Sequence, residues 1–247
     1  NITRVVVGYD GRLSSTSLNA ELIRGLVEAG SNVTSIGLCP SPMLYYADKV
    51  FNSDGAIMIT GSHNPANYNG FKMLVRGKSL YGDRILELAN YNKKGLFYKG
   101  KVQSFNINES YIIEITKNIE SLENNLKVVW DAGNGATGNI LKKVIKILPG
   151  KHFLLNSKID GTFPNHHPDP TDENNLKQLK EKVIKVNADI GIAFDGDGDR
   201  IGIVDKEGIF IPGDKLLYIF ASEVIKENPG ATIISDVKAS NKIFQEI

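Results

Sequence analysis

The sequence predicts an α/β protein built of tandem domains, each a mixed, largely parallel sheet with helices on its faces. Three observations carry that prediction. Short apolar, β-branched runs alternate with segments of helical periodicity. Turn-forming groups end the runs, among them Asp10-Gly11-Arg12, Gly30 and Pro212-Gly213-Asp214. The chain, at 247 residues, is long enough for more than one domain of the usual ~100–200 residues.

The elements follow in order. Val5 to Tyr9 is a buried strand, and Ser15 or Ser17 can cap the helix after it, whose apolar face is Leu18, Leu22, Leu26 and Ala29 before Gly30 stops it. Val33 to Leu38 and Ala56 to Ile59 are further buried strands, separated by a helix from Pro42 to about Val50. A polar loop, Thr60 to Gly70, leads to a strand at Phe71 to Val75 and a helix from about Gly82 to Tyr91. Asn92 to Asn106, with its glycines and polar residues, reads as a linker or loop.

A second α/β unit opens with an amphipathic helix around Ile107 to Leu122. Strand Val128 to Trp130, helix Asn139 to Leu148, strand His152 to Leu155, helix Asp172 to Val186 and strand Asp189 to Phe194 follow. Ile201 to Val204 continues the unit after a tight loop. A helix, Lys215 to Lys226, and a strand, Thr232 to Asp236, then read as the start of a third unit, because one helix and one strand cannot close a core by themselves. The expected division is 1–106, 107–209 and 210–247, with further domains in cis.

Composition narrows the function. The net charge of +1 removes the basic footprint of a nucleic-acid or anionic-membrane binder, so neither partner is expected. The one cysteine, Cys39, excludes an internal disulfide and a cysteine-built zinc site. No apolar stretch approaches the ~18 residues of a membrane span. A cytoplasmic protein with a small-molecule ligand is the expectation. Charge is uneven along the chain: residues 1–106 carry 12 basic and 7 acidic side chains, and 107–247 carry 17 and 21. Solvated faces are the favoured explanation. The sharper one is a cationic half facing a carboxylate-bearing half, which suits an anionic substrate beside a metal.

The strongest motif is Asp195-Gly196-Asp197-Gly198-Asp199-Arg200, directly after an apolar strand. Alternate side chains of an extended loop point the same way, so three short carboxylates can converge on one hard cation while the glycines let the backbone curl. Mg²⁺ is the natural inference. An EF-hand would need Gly and Glu where this chain has Arg200 and Lys206. The second signal is Thr60-Gly61-Ser62-His63-Asn64-Pro65, at the carboxyl end of a strand, where ligands gather in α/β sheets. Spacing alone makes Ser62 a candidate nucleophile on a loop that could equally be an ordinary polar turn.

Two further runs invite sharper readings. Gly133-Asn134-Gly135-Ala136-Thr137-Gly138 matches the dinucleotide fingerprint G-x-G-x-x-G, with Asp160 downstream, but Asp160 does not end a strand. Glycines that permit close strand-to-helix packing are the favoured explanation. His166-His167, flanked by Pro164, Pro168 and Pro170, reads as a stiff structural turn rather than a pair of metal ligands.

Together, Gly8-Tyr9-Asp10-Gly11-Arg12, the serine loop with Lys72, Phe163 to Pro170 and Asp195 to Arg200 resemble the phosphohexomutases, specifically the bacterial phosphomannomutase/phosphoglucomutase branch. Order and spacing agree over essentially the whole chain. The resemblance implies a phosphohexomutase-like fold and a serine, Ser62, that carries a phosphoryl group. It also implies that Ser62, Asp195, Asp197 and Asp199 together form the Mg²⁺ site, and that Arg12, His63, Lys72 and Arg200 surround the phosphate. Tyr9 and Lys238 match substrate contacts. The implied reaction moves phosphate between the 1- and 6-positions of mannose or glucose phosphate through phosphoserine and a hexose 1,6-bisphosphate. Lys72 or His63 is the expected proton carrier, a lysine pressed among cations being able to lose its proton near neutral pH. The competing expectations are a dinucleotide-dependent oxidoreductase and a metal- and phosphate-binding fragment without turnover.

Overall fold

The computed structural model describes residues 3–90, 99–119 and 125–246. The first unit runs β1 (Arg4–Tyr9), α1 (Ser15–Glu28), β2 (Asn32–Leu38), α2 (Ser41–Val50) and β3 (Gly55–Ile59). β1 pairs in parallel with both β2 and β3. β4 (Phe71–Val75) turns back antiparallel to β3, and β5 (Lys78–Ser79) pairs with β4 before α3 (Asp83–Ala89). β6 (Val102–Ser104) adds in parallel to β2, giving the order β5-β4-β3-β1-β2-β6.

The second unit repeats this plan. After α4 (Asn108–Thr116) come β7 (Lys127–Asp131), α5 (Gly138–Val144), β8 (Lys151–Leu155), a 3₁₀ turn (Glu173–Leu176), α6 (Lys177–Val186), β9 (Ile190–Phe194), β10 (Ile201–Asp205) and β11 (Phe210–Ile211). β7 is parallel to β8 and β9, β10 is antiparallel to β9, and the order is β11-β10-β9-β7-β8. The β3–β4 and β9–β10 loops therefore occupy equivalent places in the two sheets. The first contains Ser62 and the second contains the three aspartates. α7 (Gly213–Glu227) and α8 (Asn241–Glu246) follow.

The apolar runs form strands because both sheet faces are covered. Along β1, Val5 and Val7 pack with Tyr9 against Leu18, Leu22 and Leu26 of α1. Val6, on the opposite face, meets the cluster containing Met43, Leu44 and Ala47 of α2. That cluster also takes in Ile107, Ile112 of α4, and Ile140 and Val144 of α5, so one core runs across the seam between the units. Each fully buried aliphatic side chain of this kind contributes roughly 1.5–3 kcal/mol. Exposed ion pairs such as Arg24 with Glu21 contribute about 0–1 kcal/mol. The seam combines this apolar core with the buried hydrogen bonds of Ser41 and Ser62 to the second unit.

Several expectations are corrected. Neither Ser15 nor Ser17 caps α1: the Ser15 hydroxyl donates to the buried Asp10 carboxylate at 2.6 Å, and Ser17 donates to the Ser14 carbonyl. The supposed linker contains β6, a three-residue exposed edge strand too short to show alternation. The helix expected to Tyr91 ends at Ala89, and the one expected to Leu122 ends at Thr116. Tyr91, residues 92–98 and Leu122 lie outside the described residues. The helix expected to Leu148 is α-helical only to Val144. Asp172 caps a 3₁₀ turn before α6 by accepting from Asn174 N at 3.0 Å. Thr232 to Asp236 is not a strand, because among the described residues no sheet edge pairs with it.

Candidate active site

The serine loop is shaped by a buried ion pair. Asp10, just past the carboxyl end of β1, accepts from Arg12 N, Arg12 Nε, Ser15 Oγ, Thr60 Oγ1 and Gly61 N at 2.6–3.3 Å. Arg12 is 2 % exposed. Its Nη1 donates to the carbonyls of Pro65 and Tyr68, and its Nη2 to those of Ser62 and Asn64. A guanidinium has five N–H donors in a rigid fork, and here all five are engaged within the protein. The resemblance puts Arg12 beside the phosphate; here its guanidinium ties down the serine loop through Asp10 and four backbone carbonyls. Gly61 is required beside it, since a Cβ there would lie 2.5 Å from the Arg12 guanidinium carbon.

Held this way, Ser62 adopts a left-handed conformation, φ +49°, that a residue with a side chain takes up only when its surroundings impose it. Its amide donates to Thr60 Oγ1 at 2.8 Å, and its hydroxyl donates across the seam to Asp195 Oδ2 at 2.9 Å.

The acidic loop is equally determined. Asp195 Oδ1 accepts from the amides of Asp199 and Arg200, wrapping the backbone around its own carboxylate. Asp195, Asp197 and Asp199 each offer an oxygen within 4.8 Å of the others. Burial pushes Asp195 up to about 7, with the charges of Asp197 and Asp199 adding to the rise. Asp197 is fully buried, and its Oδ2 is gripped by the Ser41 hydroxyl and by Lys72 Nζ. Its Oδ1 is buried with no hydrogen-bond partner. Converging carboxylates with one orphaned oxygen fit a hard divalent cation such as Mg²⁺.

Lys72 reaches this loop from β4, 2.6 Å from both Asp197 Oδ2 and Asp199 Oδ2. Burial works against its charge, but Asp197 and then Asp199 outweigh that and raise its pKa. The lysine expected among cations lies here among carboxylates. His63 lies on the serine loop with Nδ1 buried and unpartnered. Arg200 is exposed at the end of the acidic loop, and its guanidinium forms no hydrogen bond among the described residues. Tyr9 is packed into the core beside α1, and Lys238 sits in an exposed turn with its amide on Asp236; neither hydrogen-bonds to the serine or acidic loop.

The remaining motifs build the seam. A Cβ on Gly196 would approach the Ser62 carbonyl to 2.5 Å, and one on Gly135 would approach the Gly196 carbonyl to 2.7 Å. The glycine run thus supports close packing, here of loop on loop, and its backbone lies against the acidic loop. His166 bonds Asp131 Oδ2 through Nε2 at 3.0 Å and faces the His167 carbonyl through Nδ1, so it is structural, as its proline-rich context implies. Phe163 stacks beneath the Arg12 guanidinium, 5.2 Å from its ring centre. Sequence reasoning missed Ser41, Asp131 and the hub role of Asp10. The signal available for Asp10 and Asp131 was their place at the carboxyl ends of the first strands of the two units.

Comparison with known proteins agrees with this geometry. Two phosphoglucomutase/phosphomannomutase models match, alpha/beta/alpha domain I over residues 1–99 and alpha/beta/alpha domain II over residues 109–208. The chain is 45% identical over 242 residues to the phosphomannomutase/phosphoglucomutase of Pseudomonas putida, covering 97% of this chain and 52% of that protein. It is 43% identical over 243 residues to the phosphoglucomutase of Neisseria meningitidis serogroup B, covering 97% and 53%. The crystal structure of a phosphoglucomutase/phosphomannomutase family protein from Burkholderia thailandensis superposes with a TM-score of 0.91 at 39% identity, over 99% of this chain and 55% of that one. Two α/β domains meeting at a serine loop and an aspartate loop define a class, and the chain belongs to it: the alpha-D-phosphohexomutase superfamily. Within that class it matches domains I and II of the bacterial phosphomannomutase/phosphoglucomutases and spans about half the length of those relatives.

Proposed function

We propose that this chain carries the phosphoryl-donor and metal-binding part of a magnesium-dependent phosphohexomutase acting on mannose or glucose phosphate. The observation that carries the reading is Ser62, held left-handed with its hydroxyl 2.9 Å from Asp195 in a cluster that fits Mg²⁺. The names of the Pseudomonas and Neisseria relatives support the sugar class.

In this reading Ser62 bears the phosphoryl group. Its O–P bond breaks as a sugar hydroxyl oxygen bonds to phosphorus; that hydroxyl's proton passes to a base, and the departing Ser62 oxygen takes up a proton to become the serine hydroxyl. The resulting hexose 1,6-bisphosphate returns its other phosphate to Ser62. Asp195, Asp197 and Asp199 would hold Mg²⁺, which would supply charge neutralisation for the transfer. Lys72 and Arg200 add positive charge, and Arg12 keeps the serine loop in place. His63, with its buried Nδ1 unpartnered, is the better candidate for the proton. Tyr9 and Lys238 are assigned no step. The domain division at 106 and 209, further C-terminal domains, and a cytoplasmic location without nucleic-acid or membrane partners belong to the same proposal.

The test is to incubate the protein with Mg²⁺ and glucose 1,6-bisphosphate and map phosphate by intact mass and peptide analysis. One phosphate on Ser62, absent from Ser62→Ala, is expected. Phosphate elsewhere, or retained in Ser62→Ala, overturns the assignment.

A further inference from the structure

The acidic loop is gripped from the opposite unit by a residue that none of the site motifs contains. Ser41 opens α2 and is fully buried. Its amide donates to the Asp197 carbonyl at 2.8 Å, and its hydroxyl donates to Asp197 Oδ2. These two bonds span 156 positions of sequence and fix both the backbone and the side chain of one aspartate. The fit continues beside them, where a Cβ on Gly198 would lie 3.3 Å from Pro40 and 2.2 Å from Thr137.

The consequence lies in the two oxygens of Asp197. Lys72, partly exposed, shares Oδ2 with Ser41, while Oδ1 is buried and unpartnered. A carboxylate tethered at one oxygen cannot spin about its Cβ–Cγ bond to exchange the two. We propose that Ser41 is a positioning residue for the metal: by anchoring Oδ2 from the first unit, it sets which oxygen of Asp197 is offered to the cation. Partners that orient a metal's ligands typically change affinity about 10–100-fold when removed. Ser41 would act in this way across the seam, so that metal affinity reports whether the two units are correctly docked. The inference rests on reading the acidic loop as a Mg²⁺ site.

The test is calorimetric titration of Mg²⁺ alone into metal-stripped protein, without phosphosugar. Ser41→Ala is expected to bind about 10–100-fold more weakly, and Ser41→Thr, which keeps the hydroxyl, to stay within about threefold, ~0.7 kcal/mol at 1.4 kcal/mol per tenfold. Each variant's thermal unfolding is recorded alongside. Should Ser41→Ala fail to fold, Ser41→Cys keeps the volume with a much weaker donor and is expected to weaken binding in the same direction. Wild-type affinity in folded Ser41→Ala or Ser41→Cys, or equal weakening in Ser41→Thr and Ser41→Ala, overturns the role of Ser41. Absence of Mg²⁺ binding by the wild type overturns the metal reading itself.

Discussion

Arg12 shows how a buried charged residue can shape a loop through the backbone carbonyls it binds. Its guanidinium is buried against Asp10 and four backbone carbonyls, and each of its donors has an acceptor. Removing one partner of a buried pair leaves an uncompensated charge, at a cost of about 3–5 kcal/mol. Arg12→Met is expected to lose stability of that order in urea unfolding, with Asp10 stranded. Arg12→Lys is expected to recover little of it, since one ammonium cannot span four carbonyls and a carboxylate. A variant that unfolds at the wild-type midpoint while losing activity would instead place Arg12 on the phosphate. Cys39 is a contrasting residue: burial pushes its thiol up to about 12, which makes it an inert core side chain.

Among the elements, the turn from Phe163 to Pro170 illustrates a structural motif that looks chemical. Both ring nitrogens of His166 face acceptors, the Asp131 carboxylate and the His167 carbonyl, so the ring must donate twice and be charged. Burial lowers its pKa, but Asp131 outweighs that and raises it; burial raises Asp131, and His166 brings it below its ordinary value. The histidine's contribution is therefore full below its ordinary pKa of ~6.5 and fades as pH rises through the elevated folded value, while that of Asp131 fades only as pH falls through the acid range. Unfolding free energy measured in urea across pH 6–9 is expected to fall with pH more steeply for wild type than for His166→Gln. Parallel profiles would show that the imidazolium contributes nothing.

The strands legible in the sequence were those of five or more residues: β1, β3, β7 and β9, and equally β2, β8, β10 and the partly exposed β4, all agree to within a residue or two. β6 was not legible, because a three-residue edge strand is specified by the neighbour it joins rather than by its own pattern. At the site, Ser62 and the three aspartates were legible because their chemistry is written in local motifs. The roles of Arg12 and Ser41 were not, since they depend on carbonyls 50 or more residues away and on a carboxylate in the other unit. Sequence showed that Lys72 was near the site, yet only the antiparallel pairing of β4 on β3 brings its amine to carboxylates instead of phosphate-binding cations.

Across the whole molecule, burial is graded. The two sheets share a buried core, whereas α7 and α8 pack on each other with few buried side chains, Leu216, Ala221 and Ile243. Phe220 and Val224 of α7 and Phe244 of α8 are exposed, and Val237 between them is 98 % exposed. Segments with so little burial open locally at low free energy. Hydrogen exchange on this chain is expected to label α7 and α8 amides at least about 100-fold faster than those of β1 and β7, some 2.8 kcal/mol or more of local stability at 1.4 kcal/mol per decade. Equal protection would mean that α7 and α8 belong to the same cooperative unit as the sheets.

The bond from Ser62 to Asp195 joins residues 133 positions apart and lies between equivalent loops of two repeated sheets. That separation has a consequence in time. As the chain leaves the ribosome, the serine emerges long before the carboxylates that complete its surroundings. At ~5–20 residues per second, the interval is several seconds or more. Throughout it the first sheet can fold, but the hydroxyl lacks Asp195 and the acidic loop beside it. A nascent chain thus holds the serine without the carboxylates that complete its surroundings until both halves have been made and joined.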